Sequence, residues 1–385
     1  MDELRRWREE FPILASTTYM ISNSLGAMPR GTAAALQEYA RAWAERGVRA
    51  WHEGWWEMPL TIGDRLTGIL GAAAGSIAMQ PNVSLAQSIV LSCFDYEPPR
   101  NTIVSTEMNF PSVLYVLWEQ RRRGARLRLI PTDDGVTVDT QRLLEAIDEE
   151  TLLVCISHAL FRSAFLQDVP AVTERAHAVG AKVVLDVYQS AGCVPLRLAE
   201  WGVDFAVGGT LKWLCGGPGA AYLYVRPDLA ASLNPMVTGW QAHAQPFAFE
   251  PGAMQWGDPG WRLLNGTPVI PALYAVREGI AIVGRIGVDR IREHSVELTG
   301  IILDEARAAG LKTTCPEKAE QRGGTVALDV PHGEEVCREL LRREFLVDYR
   351  PRAGIRVSPH FYSTTDECRA TVAETVRILD ERGWR

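Results

Sequence analysis

Lysine is nearly absent from this chain of 385 residues. Only Lys182, Lys212, Lys312 and Lys318 occur, against thirty-six arginines. A bias of that size sets each lysine apart, because arginine could carry any ordinary surface charge. An excess of positive charge is also missing. The formal net charge is −7, which excludes the broad basic face of a general nucleic-acid binder. The run Arg121-Arg122-Arg123 closes a predicted helix, where solvated cations complement the C-terminal dipole. The seven cysteines are odd in number, scattered, and never form a C-x-x-C pair. That spacing offers no structural zinc and suits a reducing cytoplasm, so no metal is expected. No apolar stretch approaches the roughly 18–20 residues that cross a bilayer. The opening MDELRRWREEF lacks the apolar centre of a secretory signal. The expectation is a cytoplasmic protein without membrane or nucleic-acid partners.

What remains is an ordinary globular composition, 47% apolar and 23% charged. The length suits one large domain and a smaller one. Short apolar runs rich in β-branched residues recur through the middle. Residues 102–105, 127–130, 152–157, 182–187, 204–208 and 220–225 read as buried strands. Helical segments lie among them, at about 83–93, 111–123, 139–147 and 168–180. The last has Asp168 as N-cap, Pro170 in its first turn and Gly180 at its end. Such alternation indicates an α/β layer with a mostly parallel sheet. Beyond about residue 265 the pattern turns to long helices (268–284, 287–309). Short strands at 323–330 and 354–358 and a final helix follow. The expected fold is a large α/β domain over 51–264 and a smaller α+β domain. The latter combines 265–385 with 1–50, which carries a helix at about 29–47.

Lys212 lies in VGGTLKWLCGGPG, between glycine clusters and just beyond a predicted strand. A buried ammonium must be paired or lose its proton. Asp186 ends the preceding strand, in VVLDVYQSAG, 26 residues earlier. In open α/β sheets, ligands gather at the carboxyl ends of strands. Both side chains should therefore reach one crevice. A lysine and a carboxylate converging there suit a pyridoxal phosphate site, lysine as Schiff-base nitrogen and carboxylate on the pyridinium nitrogen. Spacing alone also allows a plain buried ion pair.

Order and wording of several segments decide further. D-V-Y-Q-S-A-G, then W-G-V-D-F-A, then K-W-L-C-G-G-P-G resembles the class V aminotransferase family of fold-type I pyridoxal phosphate enzymes, and within it the kynureninases. YMISNSLGAMPRG, NFPSVLY, TGWQAH, WRLLNGTP and GIRVSPHFYST resemble further kynureninase segments in the same order. The likeness covers nearly the whole chain. It implies pyridoxal 5′-phosphate as cofactor, a free amino acid as substrate and a homodimer with shared active sites. It implies that Lys212 carries the cofactor and moves protons at the substrate Cα, and that Asp186 pairs with the ring nitrogen. Phe110 stacks on the ring. Asn82 and Val83 open a helix whose backbone N–H groups hold the phosphate, with Ser157 at a strand end beside it. Trp240, Asn265 and Thr267 match positions that reach the phosphate from the neighbouring subunit. Arg356, leaving a strand for a surface loop, matches the arginine that grips the substrate carboxylate. His52 and Trp55, in RAWHEGWWEMP, match in style a tryptophan-rich segment near the substrate. For His158, a site role and a loop-capping role both stay open.

Three positions depart from the kynureninase pattern. Leu211 stands where the family has a tyrosine before the lysine, tied to phosphate binding and acid–base chemistry. Gln189 replaces the histidine of D-L-A-H-A. A glutamine there is the pattern of cysteine desulfurases, where it hydrogen-bonds the cofactor's phenolic oxygen. Val113 replaces an aspartate after F-P-S. Thr210 offers a replacement hydroxyl for the phosphate. Cys315 and Cys368 lack the serine-rich loop context of a desulfurase nucleophile. The implied activity is kynureninase-like Cβ–Cγ hydrolysis, with a β-lyase, epimerase or aminotransferase as runner-up. A non-catalytic protein that merely retains the fold is the alternative from another class.

Overall fold

The computed structural model describes residues 2–383. Seven strands form its main sheet: β1 (Ile77–Gln80), β2 (Thr102–Thr106), β3 (Arg126–Ile130), β4 (Thr151–Ser157), β5 (Lys182–Asp186), β6 (Phe205–Gly209) and β7 (Ala221–Val225). Their spatial order is β1-β7-β6-β5-β4-β2-β3. Only β7 runs against the rest, so the sheet is mixed and mostly parallel. This is the α/β architecture expected from the alternating pattern. The sequence reading missed β1, whose four residues IAMQ carry a single β-branched side chain and no alternation.

Both faces of the sheet are covered, which is why its strands read as continuous apolar runs. On one face, Ile103, Leu153, Val184 and Leu223 pack against α2 (Val83–Leu91) and α3 (Pro111–Glu119). On the other, Val104, Val154, Val183 and Leu185 meet α5 (Val169–Ala178) and α6 (Ile270–Ile286). Two further helices, α1 (Gly31–Arg41) and α4 (Thr140–Glu145), flank this layer. The helix expected over 29–47 stops at Arg41. A π turn, Ala42–Arg46, follows, and Gly47 turns the chain away at φ 54°.

A four-stranded antiparallel sheet lies apart: β8 (Lys312–Thr313), β9 (Val326–Asp329), β10 (Asp348–Arg350) and β11 (Gly354–Val357), in the order β10-β11-β9-β8. Its core joins Val326, Leu328, Ile355 and Val357 to α7 (Val288–Ala308), α8 (Gly333–Arg342) and α9 (Thr365–Glu381). Thr364 and Glu367 close a capping box at the start of α9.

Parallel pairing aligns the strand ends that matter. Ser157 lies opposite Asp186, and Asp186 opposite Val207, two residues before β6 ends. Ser157, Asp186 and Gly209 therefore finish on one edge of the sheet, with Lys212 just beyond it. Among the described residues no helix is long and apolar enough to cross a membrane, and no cluster of metal-ligating side chains occurs.

Candidate active site

The strand ends open into a cavity of about 320 Å³, within the range of small-molecule sites. Lys212, Asp186, Gln189, Phe110, Asn82, Val83, Ser157 and Arg356 all line it. Their elements supply the reason. Ser157 and Asp186 end strands, Gln189 and Lys212 lie three residues beyond strand ends, Asn82 and Val83 open α2, and Phe110 is the N-cap of α3. Arg356 comes from β11 across the cavity.

Among the described residues Lys212 makes no ion pair. Its ammonium lies 4.4 Å from the Tyr188 ring centroid and 5.7 Å from that of Phe110. Burial lowers its pKa to about 8, with Arg356 pushing the same way and Asp186 opposing. The plain Asp186–Lys212 ion pair allowed by spacing is not formed. The two groups share a cavity with space between them. Asp186 is buried and accepts from the Tyr188 backbone N–H at 2.8 Å. Burial raises its pKa, and only the Tyr188 N–H and Lys212 counter that. A carboxyl of that kind gains from a cationic ring nitrogen beside it.

The loop around Lys212 is held from several sides. The Gly26 N–H donates to Leu211 O at 2.7 Å, and a Cβ on Gly26 would lie 2.1 Å from Lys212 O. Hence the glycine of NSLG: only a bare backbone passes there. Trp213 Nε1 donates to Gln189 Oε1 at 3.2 Å, and His360 Nε2 lies 2.8 Å from Trp213 O. Tyr362 Oη bonds Ser22 Oγ at 2.8 Å and accepts from Ala27 N at 3.3 Å. The N-terminal segment, the lysine loop and the loop after β11 thus brace one another.

Asn82 caps α2 by accepting from Leu85 N at 2.9 Å. Its side chain is committed to the helix, and the first residues of α2, Val83 and Ser84, whose N–H groups have no intrahelical acceptor, line the cavity. Gln189 donates one amide hydrogen to Asn23 O at 3.1 Å, leaving its other for the cavity. Arg356 is almost fully buried inside β11 and does not enter a surface loop as expected. Its Nε and Nη2 grip Asp348 at 2.8 and 2.5 Å, and Nη1 donates to Phe161 O at 2.6 Å. One edge of its fork is therefore closed, and each terminal nitrogen keeps one further N–H on a side chain that lines the cavity.

Several expected residues lie elsewhere. Thr210 is buried, and its hydroxyl donates to Ala220 O at 3.0 Å, inside the glycine loop, away from the cavity. Asn265 and Thr267 line a shallow cleft with Gln80 and Pro81, one turn from Asn82, outside the chain's own cavity. Trp240 packs edge-on against Trp56, at 4.8 Å, and against Phe247 in a half-exposed aromatic patch. His52 is exposed beside Phe247, and Trp55 stacks on Tyr39 while donating to Tyr274 Oη at 3.1 Å. Neither meets Lys212 within one chain. His158 is turned toward Trp201 and kept neutral by burial, its pKa lowered to about 4. Cys315 and Cys368 are buried in the core of the small sheet, and no cysteine lines the cavity among the described residues.

The cavity also contains residues to which no role attached from sequence: Asn23, Ser24, Ser84, Tyr188 and Arg350. Asn23 is the most distinctive. It is 1% exposed, and neither atom of its side-chain amide has a partner. The NSLG segment was the available signal for it. Arg350 shares the Asp348 carboxylate with Arg356, at 3.0 Å, and its signal was position, six residues before Arg356.

This arrangement defines a class. A lysine of lowered pKa, a buried acid, an aromatic wall and a helix start on one sheet edge form the donor set of a fold-type I pyridoxal phosphate enzyme. The class V aminotransferase model matches residues 27–370. A kynureninase of Burkholderia pseudomallei is 36% identical over the whole chain and 94% of its own length. A kynureninase of Pseudomonas fluorescens is 31% identical at the same coverage. Among solved structures, a cysteine desulfurase from Thermococcus onnurineus superposes with a TM-score of 0.86, at 20% identity and 98% coverage of both chains. The chain belongs to the class V aminotransferase family.

Proposed function

We propose that this chain is a pyridoxal phosphate enzyme that hydrolyses the Cβ–Cγ bond of a kynurenine-like amino acid. The observation that carries the reading is the 36% identity to a kynureninase along the full chain. The donor set around the cavity supports it. The cofactor is pyridoxal 5′-phosphate. When bound, it supplies a covalent hold on the substrate's amino group and an electron sink for charge at Cα.

The chain's own residues do the rest. Lys212 anchors the cofactor, and its amine, half neutral near pH 8, moves the proton at the substrate Cα. Asp186 holds the ring nitrogen cationic. Phe110 covers one ring face. Backbone N–H groups at Val83 and Ser84 take the phosphate, with the helix dipole behind them. Gln189 offers its free amide hydrogen to the phenolic oxygen. Arg356, fixed by Asp348, presents its remaining N–H groups to the substrate carboxylate. A water adds to the γ-carbonyl, the Cβ–Cγ bond breaks, and alanine and an aromatic acid leave. One water is consumed and no redox partner is needed.

A homodimer completes the site. Trp240, Asn265 and Thr267 serve the partner's cavity. An apolar groove of about 1010 Å³, with Leu25, Met28, Leu36 and Val269 exposed along it, runs behind the glycine loop. It suits burial against a second copy.

A second reading is favoured by one observation. Gln189 sits where the kynureninase pattern has histidine, and Trp213 and Asn23 fix its amide. That residue suits a β-lyase, epimerase or aminotransferase using the same first steps. Persulfide chemistry is not proposed, because no cysteine reaches the cavity.

The test is direct. The holoenzyme is incubated with kynurenine, 3-hydroxykynurenine and a panel of cysteine derivatives. Equal amounts of alanine and an anthranilate are expected. Sulfide, pyruvate or a racemised amino acid, with no anthranilate, would replace the hydrolase reading by the second one.

A further inference from the structure

We propose that Tyr188 supplies the cofactor-binding hydroxyl that the kynureninase pattern carries immediately before the lysine and that Leu211 lacks. The inference rests on the cavity being a pyridoxal phosphate site. In the pattern D-L-A-H-A, alanine occupies the position two residues after the aspartate; here Tyr188 stands there. One tyrosine is lost at position 211, and another is gained beside it in space.

The fold makes room for the exchange. The Tyr188 ring lies over the end of β6, where a Cβ on Gly209 would be 2.3 Å from its Oη and Cζ. Any side chain at Gly209 would therefore drive the ring out. With glycine there, Tyr188 lines the cavity and comes closer to the Lys212 ammonium than Phe110 does, 4.4 against 5.7 Å between the nitrogen and each ring centroid. Its phenol oxygen has no hydrogen-bond partner among the described residues; only its backbone N–H is engaged, by Asp186. Burial and the Asp186 charge both raise its pKa. The hydroxyl thus keeps its proton and is a donor at any working pH.

The serines at 24, 84, 112 and 157 also bring hydroxyls to the cavity, but the two hydroxyls flanking the lysine loop do not compete. Thr210 is bonded to Ala220 O. Tyr222 Oη is buried without a partner, but it lies against Gly208 and does not line the cavity. Of Thr210, Tyr222 and Tyr188, only Tyr188 brings an unbonded hydroxyl to the cavity that Lys212 lines. The acceptor it would meet is an anionic oxygen of the cofactor, such as the phosphate, as implied for the family's own tyrosine.

The test measures cofactor affinity on the apoprotein, by quenching of tryptophan fluorescence with pyridoxal 5′-phosphate, and traps the bound cofactor with borohydride. Tyr188→Phe keeps the ring and removes only the donor. Its dissociation constant should rise about tenfold, the scale of one hydrogen bond to a charged acceptor. Covalent attachment to Lys212 should persist. Adding Leu211→Tyr in that background should recover most of the loss. An unchanged affinity in Tyr188→Phe, or a loss that Leu211→Tyr does not recover, would overturn the proposal. Failure of the unaltered protein to bind the cofactor would instead remove the reading of the cavity.

Discussion

At Lys212, burial and Arg356 oppose the charge that Asp186 favours, and burial prevails, leaving a pKa near 8. Only the neutral amine attacks a carbonyl. The rate at which apoprotein captures pyridoxal phosphate should therefore rise with pH through about 8 and level off above it, followed as visible absorbance after rapid mixing. Arg356→Gln removes a neighbouring cation, so Lys212 should hold its proton to higher pH and the midpoint should move up. A midpoint left unchanged would show that Arg356 does not act on the lysine. The same variant should raise KM for the amino acid at least tenfold, since a charge-assisted fork contact contributes about 1.5–3 kcal/mol. Lys212 and Asp186 were legible in the sequence because a strand end fixes where a side chain points. Spacing does not reveal that the Thr210 hydroxyl turns to the Ala220 carbonyl, or that Arg356 stays buried inside its strand.

The elements explain which parts of the fold could be read. Strands β2 and β4 to β7 are buried along almost their whole length, so each shows as an apolar run, whereas β3, at one edge, is partly exposed and alternates Arg126 and Arg128 with leucines. The edge strand β1 is too short to show one. The start of α2 joins element to site: Asn82 caps the helix, and the two residues that follow it line the cavity. Asn82→Ala should lower stability by about 1 kcal/mol in denaturant unfolding and weaken the binding of pyridoxal phosphate in parallel. Loss of stability with unaltered affinity would confine Asn82 to the cap. Gly26 is a second such point, because its missing side chain is what allows the NSLG segment to lie on the Lys212 backbone.

For the whole molecule, the residues expected to serve the site but found outside its cavity are the informative ones. Trp240, Asn265 and Thr267 could not be placed from spacing in one chain if their target belongs to another. Light scattering should give a dimer. Met28→Asp, in the apolar groove, should shift it toward monomer and reduce cofactor affinity with it. A monomeric unaltered protein with full affinity would contradict the shared site. Acid should also unfold the molecule early. His158 and His360 are held neutral by burial, with pKa values lowered to about 4 and about 3 from an ordinary 6.5. The unfolded chain binds those protons first, so their contribution is intact above pH 6.5 and is lost progressively as pH falls toward those lowered values. The melting temperature should drop through that window, and less steeply in His158→Gln.

The central claim is a covalent bond between Lys212 and pyridoxal phosphate. Borohydride reduction of the yellow holoprotein, followed by peptide mass spectrometry, tests it most directly. The account predicts a single pyridoxyl mass on the peptide carrying Lys212, and none after Lys212→Ala. A label on Lys182, Lys312 or Lys318, or a Lys212→Ala protein that still fixes the cofactor, would contradict it.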